Sequence, residues 1–373
     1  MNPQELFCLN LDCVAKGKRG RGNIQVHSQK DKRCICTECG HTFSVTKGTL
    51  FYRLRTDPDI VIKVIILLSM GCPVPAIVAA YGLDERTVER WQQLAGQHCQ
   101  AVHEEVVEKQ RLDLGQVQAD EIKVKLQGFY IWMAMAIAVG PRLWLGGVIS
   151  QKRNKALIDQ LAVKVRMMAL CRPLLLAVDG LASYPGAFIR AFRSPLSRRG
   201  EGGRPKLVSW PDIAIVQVVK QRKADTLEIK RRIFQGGKEL VERLLLRTQH
   251  GGVINTAYIE RLNATFRQRM ANLARRTCCL ARENATLSAG MYIVGCFYNF
   301  CTPHKSLRVK IWITERKWRW ADRTPAIAAG ITDHIWTPAE LLWFRVPPEP
   351  WAPPKQRGRR SKETLNLIEK WCS

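Results

Sequence analysis

Apolar residues recur at helical spacing over 58–70, where Ile60, Val61, Val64, Ile65 and Leu68 line one stripe. Pro73 and Pro75 open a short second helix, Ala76 to Ala80, which Gly82 ends. Asp84 is a good N-cap for a third helix, Glu85 to Leu94. That helix carries Val88, Trp91 and Leu94 on one side and Arg86, Arg90 and Gln93 on an exposed one. A short helix, a turn containing Gly and a longer capped helix describe a helix-turn-helix. Residues 97–113 are polar and charged and read as a helical linker.

The period then changes. Residues 116–125 alternate, and 129–138 and 143–150 follow as two more strands of an antiparallel unit. A helix is expected around 154–169. The run Pro173 to Val178 is continuously apolar, as in a strand covered on both faces, and stops at Asp179-Gly180. Ser183 to Arg193 reads as helix, 194–209 as a Gly/Pro/Arg loop, and Ile213 to Val219 as a returning strand. Residues 226–234 can form another strand, and 237–248 a helix. In the last helix of this series, within Asn255 to Arg267, Glu260, Asn263 and Arg267 share one face beside the stripe Ile259, Leu262 and Phe266.

Acids sit at three telling places in this order: Asp120 on the first of these strands, Asp179 at the tip of the fourth, and Glu260 on the late helix. Alone, Asp179 reads equally as a turn acid, and Glu260 as part of a solvated helix face. Together they match the layout of a ribonuclease-H-like α/β core, a mixed five-stranded sheet with flanking helices in which three carboxylates converge and hold divalent metal. Glu121, next to Asp120 on a strand, should point to the opposite face and be a poor ligand.

Charge narrows the partners. Lys and Arg number 59 against 32 Asp and Glu, a net +27. That excess is spread along the chain rather than gathered on one amphipathic helix, so nucleic acid is favoured over a membrane surface. The apolar stretch 129–150 is broken at Pro141-Arg142, which favours two buried strands over a membrane span. The N-terminus shows no basic start followed by an apolar run, so no signal peptide is expected.

Thirteen cysteines in such a chain point to metal and reduced thiols rather than disulfides. Cys36-x-x-Cys39-Gly40 is a chelating knuckle, and Cys8 with Cys13 is a looser pair. The four thiolates are expected to hold one structural Zn²⁺ and to fold a segment too small for its own core. Cys34 is the spare, and His41 a weaker rival ligand.

With these residues in view, the chain resembles bacterial insertion-sequence transposases of the Asp-Asp-Glu class, whose cores are similar to retroviral integrase. The resemblance spans about residues 5–335. It rests on Cys-x-x-Cys-Gly-His-Thr-Phe, Gly48-Thr49 with Phe51, Ala119-Asp120-Glu121, Val178-Asp179-Gly180 with Ser183-Tyr184, and Asn255-Thr256 through Glu260-Arg261-x-Asn263. Tyr298-Asn299-Phe300, Pro303 to Leu307 and Thr324-Pro325-Ala326 look like the family's ending. The interval from Asp179 to Glu260 is long for a simple core, which makes 194–250 an expected insertion. The expected organisation is a zinc ribbon over 1–50, a helix-turn-helix over 51–98, a linker over 99–113 and the catalytic core over 114–310. A C-terminal extension of the core over 311–346 and a Pro-rich, basic tail over 347–373 complete it.

The resemblance implies two-step phosphodiester chemistry on double-stranded DNA. Water cuts at an element end, and the freed 3′-hydroxyl then attacks target DNA. Two Mg²⁺ (or Mn²⁺) ions would neutralise the phosphate and hold two oxygens in line. Asp120 is then the expected bridging ligand, Asp179 serves one ion and Glu260 the other. Arg261, Asn263, Arg267 and His304 would contact DNA, with Arg86, Arg90 and Gln93 reading it from the helix-turn-helix. Pairing two ends implies at least a homodimer, and the setting would be the bacterial cytoplasm, at the nucleoid. Two alternatives stay open: a catalytically silent DNA-binding regulator, and a nuclease of the same fold that only hydrolyses.

Overall fold

The structure is a computed structural model that describes residues 2–196, 205–223, 226–274, 280, 283–315, 317–351 and 358–372. In chain order, three short strands come first: β1 (Ile24–Ser28), β2 (Arg33–Cys36) and β3 (Thr42–Ser44). Helices α1 (Pro58–Ser69), α2 (Val74–Tyr81) and α3 (Glu85–His103) follow. Next come β4 (Gln116–Lys125), β5 (Tyr130–Ala138), β6 (Leu143–Ser150), α4 (Lys155–Met168), β7 (Leu174–Val178) and α5 (Ser183–Ala191). Then β8 (Arg193–Pro195), β9 (Leu207–Ser209), β10 (Ile213–Lys223), β11 (Thr226–Gln235), α6 (Lys238–Gln249), α7 (Ala257–Arg269) and α8 (Asn284–Cys296). The chain closes with β12 (Val309–Thr314), β13 (Lys317–Ala321), α9 (Pro325–Ala328), α10 (Pro338–Trp343) and α11 (Lys362–Cys372). Two compact units emerge: Met1–Pro58 with Leu342–Ser373, and Asp59–Leu341.

In the first unit β1, β2 and β3 form an antiparallel sheet. Its small core consists of Phe43, Val45, Ile24, Ala15 and buried cysteines. Residues 342–346, expected to extend the catalytic core, pack here instead. Phe51 lies 4.3 Å from Trp343 between ring centroids. The buried Arg345 donates to the Val45 carbonyl and lies over the Phe7 and Phe43 rings. A core this small needs such supplements. Of the Pro-rich and basic tail, 352–357 lie outside the described residues.

The second unit is built on a six-stranded mixed sheet, in the order β11-β10-β7-β4-β5-β6. β4, β5 and β6 form the expected antiparallel meander, β7 runs parallel to β4, β10 parallel to β7, and β11 antiparallel to β10. Five strands were expected. The sixth is β11, and it comes from the segment expected to be an insertion. Residues 213–249 are integral: Leu175, Ala177, Ala214, Val216 and Val218 turn one side of the sheet onto Val241, Leu244 and Leu245 of α6. The loop expected over 194–209 is bordered by the paired strands β8 and β9, and 197–204 lie outside the described residues.

Helices cover both faces. Gln118 and Asp120 of β4 bond to α7, whereas Glu121, one residue on, bonds to Tyr184 of α5. Trp144 of β6 is fully buried against Phe266 of α7 and Tyr292 of α8. A Cβ on Gly295 would lie 2.1 Å from that indole, so only glycine lets α8 approach.

The three helices expected over 58–94 form, with Asp84 accepting from the Thr87 amide at 3.3 Å. The third helix is longer than expected, because polar residues 97–103 continue it. A Cβ on Gly96 would lie 2.3 Å from the Ala289 Cα, so α3 crosses α8 almost backbone to backbone. The boundary expected at 98/99 therefore falls inside a packed helix. Among the described residues, no helix is long and apolar enough to cross a membrane.

Candidate metal centres and their surroundings

The sulfurs of Cys8, Cys13, Cys36 and Cys39 all lie within 4.8 Å of one another. Cys8 and Cys39 are 3.7 Å apart, Cys13 and Cys36 3.8 Å. A tetrahedral zinc with bonds of about 2.3 Å sets its sulfurs about 3.8 Å apart, so the cluster fits that ion. Burial pushes the Cys8 and Cys13 thiols up. Burial acts the same way on Cys39, but hydrogen bonds from the His41 backbone and the Asn10 side chain outweigh it and bring that thiol to about 7. Cys34 is buried in the same core but outside the cluster, and His41 is exposed and contributes only backbone. The knuckle and the looser pair read from the sequence are the four cysteines that come together.

The carboxylates assemble differently. The parallel pairing of β4 with β7 ends at Ala119↔Val178, so Asp120 and Asp179 are the next residues on adjacent strands. Their carboxylate oxygens and one of Glu121 lie within 4.8 Å of one another. Asp120 is pinned on both oxygens, by the Glu121 amide at 2.9 Å and the Asn263 side-chain amide at 2.8 Å. Asp179 accepts from the Leu181 amide at 3.1 Å.

Glu121 corrects the expectation. Alternation does aim it at the opposite face, where Tyr184 donates to it at 2.9 Å and the Arg153 Nε at 2.6 Å. Its long side chain nevertheless brings one oxygen close to both aspartates. Its charge is already balanced, however: the carboxylate is 1 % exposed and ion-paired with Arg153. The unbalanced charge belongs to the aspartates. Burial, then the charge of Asp179, raises Asp120 to about 7. Burial and Glu121 raise Asp179 to about 6, against a weaker opposing pull from Arg153 at 3.9 Å. Two desolvated acids sharing one site favour a bound proton or a cation. All-oxygen ligands suit a hard divalent ion such as Mg²⁺.

Protein-family models yield no match to this chain, and neither do the curated proteins.

Glu260 does not join the cluster. It stands on the first turn of α7, where Thr256 donates to it at 2.6 Å and Lys220 of β10 forms an ion pair. Burial works to raise it, but Lys220 and Thr256 outweigh that and hold it below the usual carboxylate range. It lies close enough for its charge to push Asp120 up. What lays α7 over β4 is a residue the sequence did not single out. Gln118 accepts from the amides of Tyr258 and Ile259, each at 3.0 Å, and donates to the Asn255 carbonyl at 2.8 Å. A strand side chain thus caps a helix whose own Thr256 makes no cap bond.

The expected DNA contacts divide. Arg86, Arg90 and Arg261 are exposed. Gln93 is half-buried and donates to Thr286 of α8 at 3.1 Å, so its amide serves packing. Asn263 is 1 % exposed and bound to Asp120, so it positions a carboxylate rather than meeting phosphate. Arg267 is half-buried. His304 stacks edge-on against Tyr298 at 4.6 Å, and burial followed by the charges of Arg269 and Arg142 lowers it to about 4. It is a neutral side chain in a cationic corner. Asn299, within one of the motifs carrying the resemblance, pairs with both backbone groups of Trp144, at 3.0 and 2.9 Å. Its role is architectural.

Proposed function

We propose that this chain is a DNA transposase of the Asp-Asp-Glu class, with a ribonuclease-H-like core, that cleaves and rejoins phosphodiester bonds at the ends of a mobile element. The observation that carries this reading is the half-buried, under-neutralised pair Asp120 and Asp179, brought together where β4 passes the end of β7, in a chain of net charge +27. An acid pair raised by burial is a poor structural feature and a good cation site.

A divalent cation held there supplies charge neutralisation for the scissile phosphate and lowers the pKa of an attacking water or hydroxyl. Asp120 and Asp179 would hold it. Asn263 and the Glu121 amide fix the Asp120 oxygens in place. Arg153, half-exposed beside Asp179, is positioned to meet a phosphate oxygen while neutralising Glu121. Arg86 and Arg90 on α3, with Arg261 on α7, give the exposed cations that attract the backbone. Glu260 is the third acid, and it can become a ligand once Lys220 releases it. The ends are brought together by at least two copies of the chain.

A second reading has its own support. Glu260 is engaged with Lys220 and Thr256, outside the acid cluster, as expected if the chain binds DNA without cutting it. Supercoiled plasmid carrying the sequences that flank this reading frame, incubated with the full chain and Mg²⁺, separates the readings. Joined products that disappear in Asp120→Asn, with DNA binding kept, are the expected result. Nicks without joining indicate a hydrolase, and binding without any cleavage indicates the regulator.

A further inference from the structure

One segment is absorbed neither by the metal centres nor by the helix-turn-helix. The strands β12 and β13 form a two-stranded sheet of their own, exposed at every described position of both strands except the half-buried Ala321. Isolated two-stranded hairpins are marginal in water, and this one presents large apolar side chains to solvent. Such a surface calls for an occupant.

The pairing register shows what it offers. Trp312 stands opposite Trp318 and Lys310 opposite Trp320, so these four side chains share one face. The three indoles are 62, 41 and 51 % exposed for Trp312, Trp318 and Trp320. Trp318 and Trp320 lie 5.4 Å apart at 82°, and the Lys310 ammonium sits 4.6 Å from the first and 5.6 Å from the second. Lys317 and Arg319 add exposed positive charge. Of the acids in this stretch, Asp322 is paired with Arg308 at 2.5 Å. The hairpin's root belongs to the cationic corner described above: the His304 amide donates to the Arg323 carbonyl at 3.0 Å, and Arg269 ends α7 beside His304. Along α7, Asn263 and Arg269 are about 9 Å apart at ~1.5 Å per residue. The hairpin therefore rises from the end of the helix that touches the acid cluster.

We propose that this hairpin is a stacking platform for unpaired nucleotides, with Trp312, Trp318 and Trp320 receiving bases, Lys310 on the same face meeting a phosphate, and Lys317 and Arg319 on the other face adding to the positive field that attracts the strand. Exposed π-faces interleaved with cations match a single strand, whose bases are free to stack. A duplex hides its base faces and would use the charges alone. A second copy of this chain, itself strongly basic, is a poorer electrostatic match. The inference rests on the DNA partner of the preceding section but not on the cation site, so the two can fail separately.

The test is fluorescence anisotropy of the full chain with a labelled 20-nucleotide oligothymidine and with a mixed-sequence duplex of equal length. The two probes are compared for the natural protein and for Trp312→Ala/Trp318→Ala/Trp320→Ala. The triple variant is expected to bind the single strand at least tenfold more weakly and the duplex within threefold of the natural protein. Trp312→Ala alone, at the most exposed ring, should give a severalfold loss, and Trp312→Phe should restore most of it. Unchanged single-strand affinity in the triple variant overturns the platform. So does loss of dimer in sedimentation with single-strand affinity intact, which would make the hairpin an interface between copies. If the natural protein binds neither probe, the DNA reading falls with it. If it binds the duplex alone, only the platform falls.

Discussion

The cysteine cluster and the acid cluster are both candidate metal centres, and they are built on opposite principles. Four thiolates come from one short stretch of chain, close to a complete tetrahedron, and leave no position for a substrate. The two aspartates come from strands far apart in sequence, with one oxygen of each already hydrogen-bonded to a backbone amide. The first arrangement would close around an ion and stabilise a fold. The second stays incomplete, and incompleteness leaves room for chemistry. The difference teaches where stability and function are separated: in the first unit a metal would reinforce a very small core, whereas the sheet has a large one and can tolerate a desolvated acid pair.

The comparison breaks most visibly if the ribbon survives without its ion. Cys36→Ser, or a strong chelator, should remove one zinc per chain and unfold residues 1–58, since structural zinc sites contribute on the order of 10 kcal/mol of folding energy. Elemental analysis and limited proteolysis check this, with residues 59–341 staying protected. A metal-free, protease-resistant ribbon would show that the thiols are core residues only.

The carboxylate side is sharpened by its scaffold. Gln118→Ala should cost about 1–3 kcal/mol, because it leaves two amides at the start of α7 and the Asn255 carbonyl without their partner. Chemical denaturation measures it, and a change under 0.5 kcal/mol would mean water replaces the cap.

A third prediction concerns pH. Asp120 stands at about 7 against an ordinary 3.8, and Asp179 at about 6. Their folded pKa values are raised, so without metal the folded state holds extra protons. The stability it loses to these acids therefore grows as pH rises from about 4 to about 7 and stays constant above. A cation displaces those protons and should recover the loss. Mg²⁺ should raise the melting temperature more at pH 8 than at pH 5.5. An equal rise at both would place the bound cation elsewhere.

The smallest effect is expected at Lys220. Its ion pair with Glu260 is largely solvent-exposed, so Lys220→Ala should change stability by less than about 1 kcal/mol. The same substitution frees Glu260 and should strengthen Mn²⁺ binding severalfold. Weaker binding would mean Glu260 has no part in holding the ion.

How far these features could be read from the chain follows from how local they are. The Cys36-x-x-Cys39 knuckle, the α7 stripe and the β4 alternation each declare themselves within a few residues. Asp120 and Asp179 could be paired because strand order was readable from the meander and the apolar run before Asp179. The nearness of a Glu121 oxygen to the aspartates was missed because alternation sets the direction of a Cβ, not the reach of a long side chain. Asn263 and Gln93 were read as surface residues, since helical periodicity marks a face and not what lies against it. The polar stretch after residue 96 hid its contact with α8, where two small residues meet. β11 and α6 were read as elements but set apart as an insertion, because the interval from Asp179 to Glu260 is long for a simple core. Gln118 gave no signal at all, its function existing only once α7 lies across the sheet.

The claim on which the rest depends is that Asp120 and Asp179 bind one divalent cation between adjacent strands. Titrating Mn²⁺ into the full chain, followed by electron paramagnetic resonance of the free ion, measures this without any DNA. The natural protein should take up Mn²⁺, and Asp120→Asn and Asp179→Asn should each weaken uptake at least tenfold while the fold persists. Equal uptake by all three proteins would contradict it.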